Sequence, residues 1–214
     1  MSELHLDPDA VLWSGDPDGD RPLLVLLHGY GADERDLFGL VPYLPDGCVV
    51  AAPRAPLAPP WPAPGYSWYP IEGVESRDPS HVTVAASALL SWLDDQAPSA
   101  TVGLLGFSQG AAVALQALRL SPERFAFVVN LSGYATPGDL PRDSELADIR
   151  PPVFWGRGTR DDVIPDFLVE HTVIWLPGHS TLSGRVYDGL THSVSDQEMS
   201  DVRAFLDKQL EQVR

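Results

Sequence analysis

The chain has 214 residues, of which 44% are hydrophobic and 21% charged, enough for one well-buried core and too apolar for disorder. Its formal net charge is -16 and its single lysine is Lys208, which excludes the clustered basic surface that nucleic acid or an anionic membrane would require. No run reaches the roughly 18 apolar residues of a membrane span, no basic segment followed by an apolar one opens the chain, and the lone Cys48 permits neither an intrachain disulfide nor a cysteine metal cluster.

These features predict a soluble, cytoplasmic, folded protein. In chain order, a first short strand is expected near Ala10 to Trp13, and the acidic "SGDPDGDRP" after it reads as a hairpin turn. "PLLVLLHG" (22–29) is a fully apolar strand, "DERDLFGLVPYL" a helix, and "CVVAAP" (48–53) a second buried strand, in which Cys48 is read as inert. Residues 53–65, "PRAPLAPPWPAPG", contain six prolines and can be neither helix nor central strand, so an irregular surface loop is predicted.

The alternation then continues. "SHVTVAASALLSWLDDQ" is a helix, "TVGLLGFS" (101–108) a strand, "SQGAAVALQALRLS" a helix, and "FAFVVNLSG" (125–133) and "PPVFWGRG" (151–158) are strands. "PDFLVEHTVIWL" is a helix, leaving His179 in a loop after Pro-Gly, and "GRVYDG" (184–189) is the last strand. Ser195 and Glu198 form a capping box at the start of the closing helix. Strands alternating with helices predict an α/β fold, a mostly parallel sheet covered on both faces, in one domain over residues 1–214.

Gly106-Phe107-Ser108-Gln109-Gly110 matches G-x-S-x-G. Five residues alone are a weak signal, but these follow a buried strand and open a helix, where flanking glycines allow a sharp turn that lifts a serine above the sheet. A serine hydroxyl needs a base, and the base needs a carboxylate. Of the six histidines, His5, His81, His171 and His179 have bland placements, and of the remaining His28 and His192 only His192 follows both Ser108 and a candidate acid, in the hydrolase order of Ser, then acid, then His.

The acid is expected beyond the carboxyl end of an intervening strand, where "VFWGRGTRDDVIP" offers Asp161 and Asp162. Spacing and burial leave both open, with helix capping at Asp162 or Asp166 as the bland alternative. A developing oxyanion needs two backbone donors. One is the amide of Gln109; the other is that of Tyr30 in "HGYGAD", where glycines such as Gly29 allow close backbone approach to a substrate.

Read together, "LLHGYGAD", "GFSQGAAVAL", "GTRDDVIP" and "YDGLTHSVS" resemble the phospholipase and carboxylesterase family of α/β-hydrolases, which includes the acyl-protein thioesterases. The likeness runs from about residue 20 to the end. It implies Ser108 as nucleophile, His192 as base, Asp161 rather than Asp162 as acid, and the Tyr30 and Gln109 amides as oxyanion donors.

"YSWYPI" is similar to a family segment that borders the acyl groove, which makes Trp68 and Tyr69 candidate substrate-binding residues. Pro70 stands where many members have Asp, so the pocket wall is expected to differ. The implied activity is hydrolysis of small-molecule acyl esters through an acyl-enzyme, without metal or organic cofactor. With no room for a cap domain, the site is expected to be open to small or extended acyl groups. Thioesters, lysophospholipids and a purely binding role are the competing readings, and no feature of the sequence fixes the oligomeric state.

Overall fold

A computed structural model describes residues 4–16, 19–71, 78–98 and 100–213. Its strands are β1 (Val11–Trp13), β2 (Leu23–Leu27), β3 (Val49–Pro53), β4 (Val102–Phe107), β5 (Phe125–Leu131), β6 (Pro152–Gly158) and β7 (Thr181–Tyr187). Its helices are α1 (Glu34–Phe38), α2 (Pro79–Gln96), α3 (Gln109–Leu120), α4 (Asp143–Ile149), α5 (Asp166–His179) and α6 (Asp196–Gln212). The strands form one sheet in the order β1-β3-β2-β4-β5-β6-β7, parallel except for the edge strand β1.

The central strands read as unbroken apolar runs because both faces of the sheet are covered. Alternate residues point to opposite sides. Leu23, Val25 and Leu27 pack with α2, α3 and α5 on one face, through Leu89, Leu93, Val113 and Leu168. Leu24 and Leu26 pack with α1 and α6 on the other, through Leu37, Val202, Phe205 and Leu206. Among the described residues no helical domain caps the sheet.

Several local expectations are corrected. β1 does not form a hairpin with β2: it pairs antiparallel with β3, Leu12 opposite Ala52, while β2 lies on the far side of β3. The five fully buried residues of β2 belong inside the sheet, and the half-buried β1 takes the edge; residues 17 and 18 of the expected turn lie outside the described residues. The helix expected over "DERDLFGLVPYL" is split, since α1 ends at the Gly39 cap and Pro42 sits in a separate short turn, Val41–Tyr43.

His179 belongs to the last turn of α5, not to a loop. Pro177 removes one backbone donor there, and side chains close the turn instead: His179 Nδ1 donates to the Trp175 carbonyl and Ser180 Oγ to that of Leu176, each at 2.8 Å. β7 begins three residues earlier than predicted and ends at Tyr187, before the turn in which Gly189 has φ +73°. The capping box at α6 is half formed. Ser195 Oγ accepts from the Glu198 amide at 3.1 Å, while both Glu198 carboxyl oxygens are buried without a hydrogen-bond partner among the described residues.

Candidate active site

The segments that leave the carboxyl ends of β2, β4, β6 and β7 converge at one edge of the sheet, the edge at which open α/β sheets bind ligands. Ser108 stands in the turn between β4 and α3 with φ +52° and ψ -114°, left-handed backbone that a non-glycine residue adopts only under constraint. Its amide donates to the Leu131 carbonyl of β5 at 2.8 Å, which ties the strained turn to the sheet.

The flanking glycines are required by contact. A Cβ on Gly106 would lie 2.5 Å from the backbone of Ala111, and one on Gly110 would lie 2.0 Å from the Leu27 carbonyl oxygen of β2. Only hydrogens fit between helix and sheet at these two positions.

His192 lies in the loop between β7 and α6, its ring 4.9 Å from that of Phe107. Its Nε2 is 2.8 Å from Ser108 Oγ and its Nδ1 is 2.8 Å from Asp161 Oδ2. Both residues are largely shielded, with side-chain exposures of 15% for His192 and 9% for Asp161.

Asp161 Oδ1 accepts from the amides of Val163 at 3.0 Å and Ile164 at 3.3 Å. Burial opposes its charge. The His192 hydrogen bond and charge, joined by those two amides, outweigh the burial and hold the carboxyl below its ordinary pKa. Asp162 is exposed, and α5, with Pro165 at its N-cap position, has no side-chain cap.

The Gly29–Gly31 loop lies against the serine: a Cβ on Gly29 would be 3.7 Å from Ser108 Cβ. The Tyr30 and Gln109 amides donate to no acceptor among the described residues, and Gln109 opens α3, where a helix leaves its amides unsatisfied. Glu34 and Arg54 brace the segment behind this loop through paired 2.7 Å hydrogen bonds, and the bond from Arg54 draws the buried Glu34 carboxyl down to about 2.

Three supporting side chains were not singled out by sequence. His28 is buried, accepts from the Ala55 amide at Nε2 (3.1 Å), and therefore donates from Nδ1 to the Gly29 carbonyl at 2.8 Å. The Gln109 side chain grips residues 67–69, accepting from the Trp68 amide at 2.8 Å and donating to the Tyr69 carbonyl at 2.7 Å. Tyr134 meets Tyr69 hydroxyl to hydroxyl at 2.8 Å. The signal for His28 was its place after a strand of five apolar residues; nothing local marked Tyr134.

A cavity of about 200 Å³ adjoins Ser108 and His192, with Gly29, Tyr69, Ile71, Phe107, Tyr134, Val163 and Ile164 in its wall. Gly29 and Tyr69 therefore stand in the wall of this cavity. Trp68 does not: it is fully buried, its indole donating to the His28 carbonyl at 2.9 Å, and it is absent from the cavity wall. Side chains alternate along an extended segment, so Trp68 supports the wall from behind and Tyr69 faces the space.

Residues 14–210 match the phospholipase/carboxylesterase family of α/β-hydrolases. Acyl-protein thioesterase 1 of Debaryomyces hansenii is 30% identical over 172 residues, which cover 72% of this chain and 73% of that protein. Esterase PE8 superposes with a TM-score of 0.74 at 27% identity, covering 96% of this chain and 99% of the other. A carboxylesterase from Mesorhizobium loti reaches a TM-score of 0.79 at 18% identity over 96% of this chain and 99% of its own, a likeness of fold. Seven strands in the α/β-hydrolase order, a serine on a strained turn and these matches lead to one assignment: the chain belongs to the phospholipase/carboxylesterase family.

Proposed function

We propose that the protein is a serine hydrolase of carboxylic esters, one α/β-hydrolase domain over residues 1–214 that works through an acyl-enzyme. The observation that carries this reading is the relay from Ser108 Oγ through His192 to Asp161, with 2.8 Å at each step.

Ser108 Oγ attacks the acyl carbonyl carbon as His192 Nε2 takes its proton. The carbonyl oxygen becomes an oxyanion held by the Tyr30 and Gln109 amides, while Asp161 keeps the Nδ1 proton in place and balances the imidazolium. Collapse of the tetrahedral intermediate expels the alcohol, which takes its proton from His192. A water deprotonated by the same imidazole then attacks the acyl-Ser108 ester and releases the acid.

A fluorophosphonate probe tests this reading: labelling is expected on Ser108 and lost in Ser108→Ala, and unlabelled wild-type protein would contradict it. A second reading, hydrolysis of acyl thioesters, is favoured by the relatives named acyl-protein thioesterases. Both use the same residues, so turnover of matched oxygen and sulfur esters separates them. The reading includes a cytoplasmic site of action, in line with the single, buried Cys48.

A further inference from the structure

The wall of the cavity beside Ser108 contains two tyrosines, Tyr69 (2% exposed) and Tyr134 (1% exposed), whose hydroxyls are bonded to each other at 2.8 Å. Such a pair acts as a closed partition only if neither ring can swing away. Both are fixed from behind.

The Tyr69 carbonyl accepts from Gln109 Nε2 and from Ser67 Oγ, each at 2.7 Å, and the preceding Trp68 is locked by its own amide and indole hydrogen bonds. On the other side, the Gly133 amide donates to Asn130 Oδ1 and the Ala135 amide to Thr172 Oγ1, each at 2.9 Å, so Tyr134 is held at both flanks. The buried Arg119 clamps the loop beyond it, donating to the Thr136 carbonyl at 2.7 Å and the Gly138 carbonyl at 2.6 Å. The backbone that carries either ring cannot shift without leaving several buried groups unpaired at once.

The space in front of the pair is small. A cavity of about 200 Å³ lies below the roughly 300–1,000 Å³ typical of ligand pockets, and holds about six or seven groups the size of a water molecule at ~30 Å³ each. A methylene is of similar size. Apart from the tyrosines, Ser108, Gln109 and His192, the wall is largely apolar, with Ile71, Phe107, Val163 and Ile164, and among the described residues no lysine or arginine lines it to meet a charged acyl group.

Resting on the esterase reading of Ser108, we propose that the packed rings of Tyr69 and Tyr134 set acyl-chain length, limiting the enzyme to short, uncharged acyl groups of about six carbons or fewer. The ring of Tyr134, not its hydroxyl, is the stop.

The test is kcat/KM for the p-nitrophenyl acetate, butyrate, hexanoate, octanoate and decanoate esters, with labelling of Ser108 by a small fluorophosphonate as an independent readout. For the wild type, a maximum at hexanoate or shorter is expected, with decanoate at least about tenfold lower, the scale on which an apolar pocket discriminates chain length. Tyr134→Phe should keep the profile. Tyr134→Ala should raise the decanoate-to-butyrate ratio by about tenfold or more.

Wild-type turnover of decanoate within about tenfold of butyrate, with Ser108 labelled, overturns the length limit and leaves the esterase reading intact. A profile unmoved in a folded, labelled Tyr134→Ala overturns the role of the ring. If Ser108 is not labelled and no ester is turned over, the esterase reading fails and this inference falls with it.

Discussion

His28 Nδ1 donates to the carbonyl oxygen of Gly29, its own neighbour in the chain, at 2.8 Å. The carbonyl and N–H of a trans peptide point in opposite directions, so holding the Gly29 carbonyl toward the imidazole turns the Tyr30 N–H away from it. The donor proposed for the oxyanion is thus aimed by a histidine that takes no part in proton transfer. Burial lowers the pKa of His28 and keeps it neutral, which leaves Nε2 free to accept from the Ala55 amide. His28→Asn, too short to make both bonds, is expected to lower kcat by about ten- to a hundredfold, less than the loss of a whole oxyanion donor, with KM changed little. Steady-state kinetics on p-nitrophenyl butyrate reads this; a change confined to KM would contradict it.

Ser108→Ala removes one oxygen from a turn whose geometry is set by Gly106 and Gly110. The fold should survive and ester turnover should fall on the order of a million-fold. Residual activity above about a thousandth of wild type, in protein with an unchanged near-UV circular dichroism spectrum, would remove Ser108 from the role of nucleophile.

Asp161 and Asp162 are neighbours in very different surroundings, one hydrogen-bonded to His192 and two amides, the other exposed. Asp161→Asn keeps the shape and can select the wrong imidazole tautomer, so a loss of roughly ten-thousand-fold is expected, as in serine proteases. Asp162→Asn should stay within about tenfold of wild type, or about 1.4 kcal/mol in the barrier. The comparison of kcat for the two variants is the measurement, and a reversed order would place the acid at Asp162.

Gly110→Ala would drive a methyl group to 2.0 Å from the Leu27 carbonyl oxygen. Neither α3 nor β2 can yield cheaply, so a destabilisation at or above the roughly 1–3 kcal/mol of ordinary overpacking is expected. Urea unfolding measures it; a variant as stable as wild type would show that the helix can move off the sheet.

Glu198 is fully buried at the start of α6, its carboxyl unpaired among the described residues, and burial pushes its pKa from 4.5 up to about 7. Between those values the folded protein holds a proton that the unfolded chain releases, so stability falls as pH rises through this window. The penalty is complete above pH 7 and amounts to about 3 kcal/mol at most. Glu198→Gln is neutral at every pH. It should match wild type near pH 4 and be more stable at pH 8, and denaturant midpoints at the two pH values test it. Equal midpoints at pH 8 would mean that the carboxylate finds a partner once ionised.

The alternation of apolar strands with helices, the serine turn and the histidine loop were legible in the sequence because each rests on local chemistry: period, turn residues and caps. The resemblance extended this to Asp161. Other features depended on distant partners. β1 joins β3 and not β2 because the buried β2 has both neighbours inside the sheet.

Trp68 and Tyr69 look equally suited to a groove in sequence, and only the grip of Gln109, forty residues away, turns one inward and the other to the cavity. Ser195 and Glu198 have the spacing of a capping box, yet the carboxyl is buried at Gly156, where even a Cβ would meet it at 2.1 Å. Tyr134 carries no local mark, since its meaning comes from a hydroxyl 65 positions earlier in the chain. Periodicity and turn chemistry act over a few residues and can be read in one dimension; cavity walls and buried charges are decided by which surfaces the closed sheet brings together.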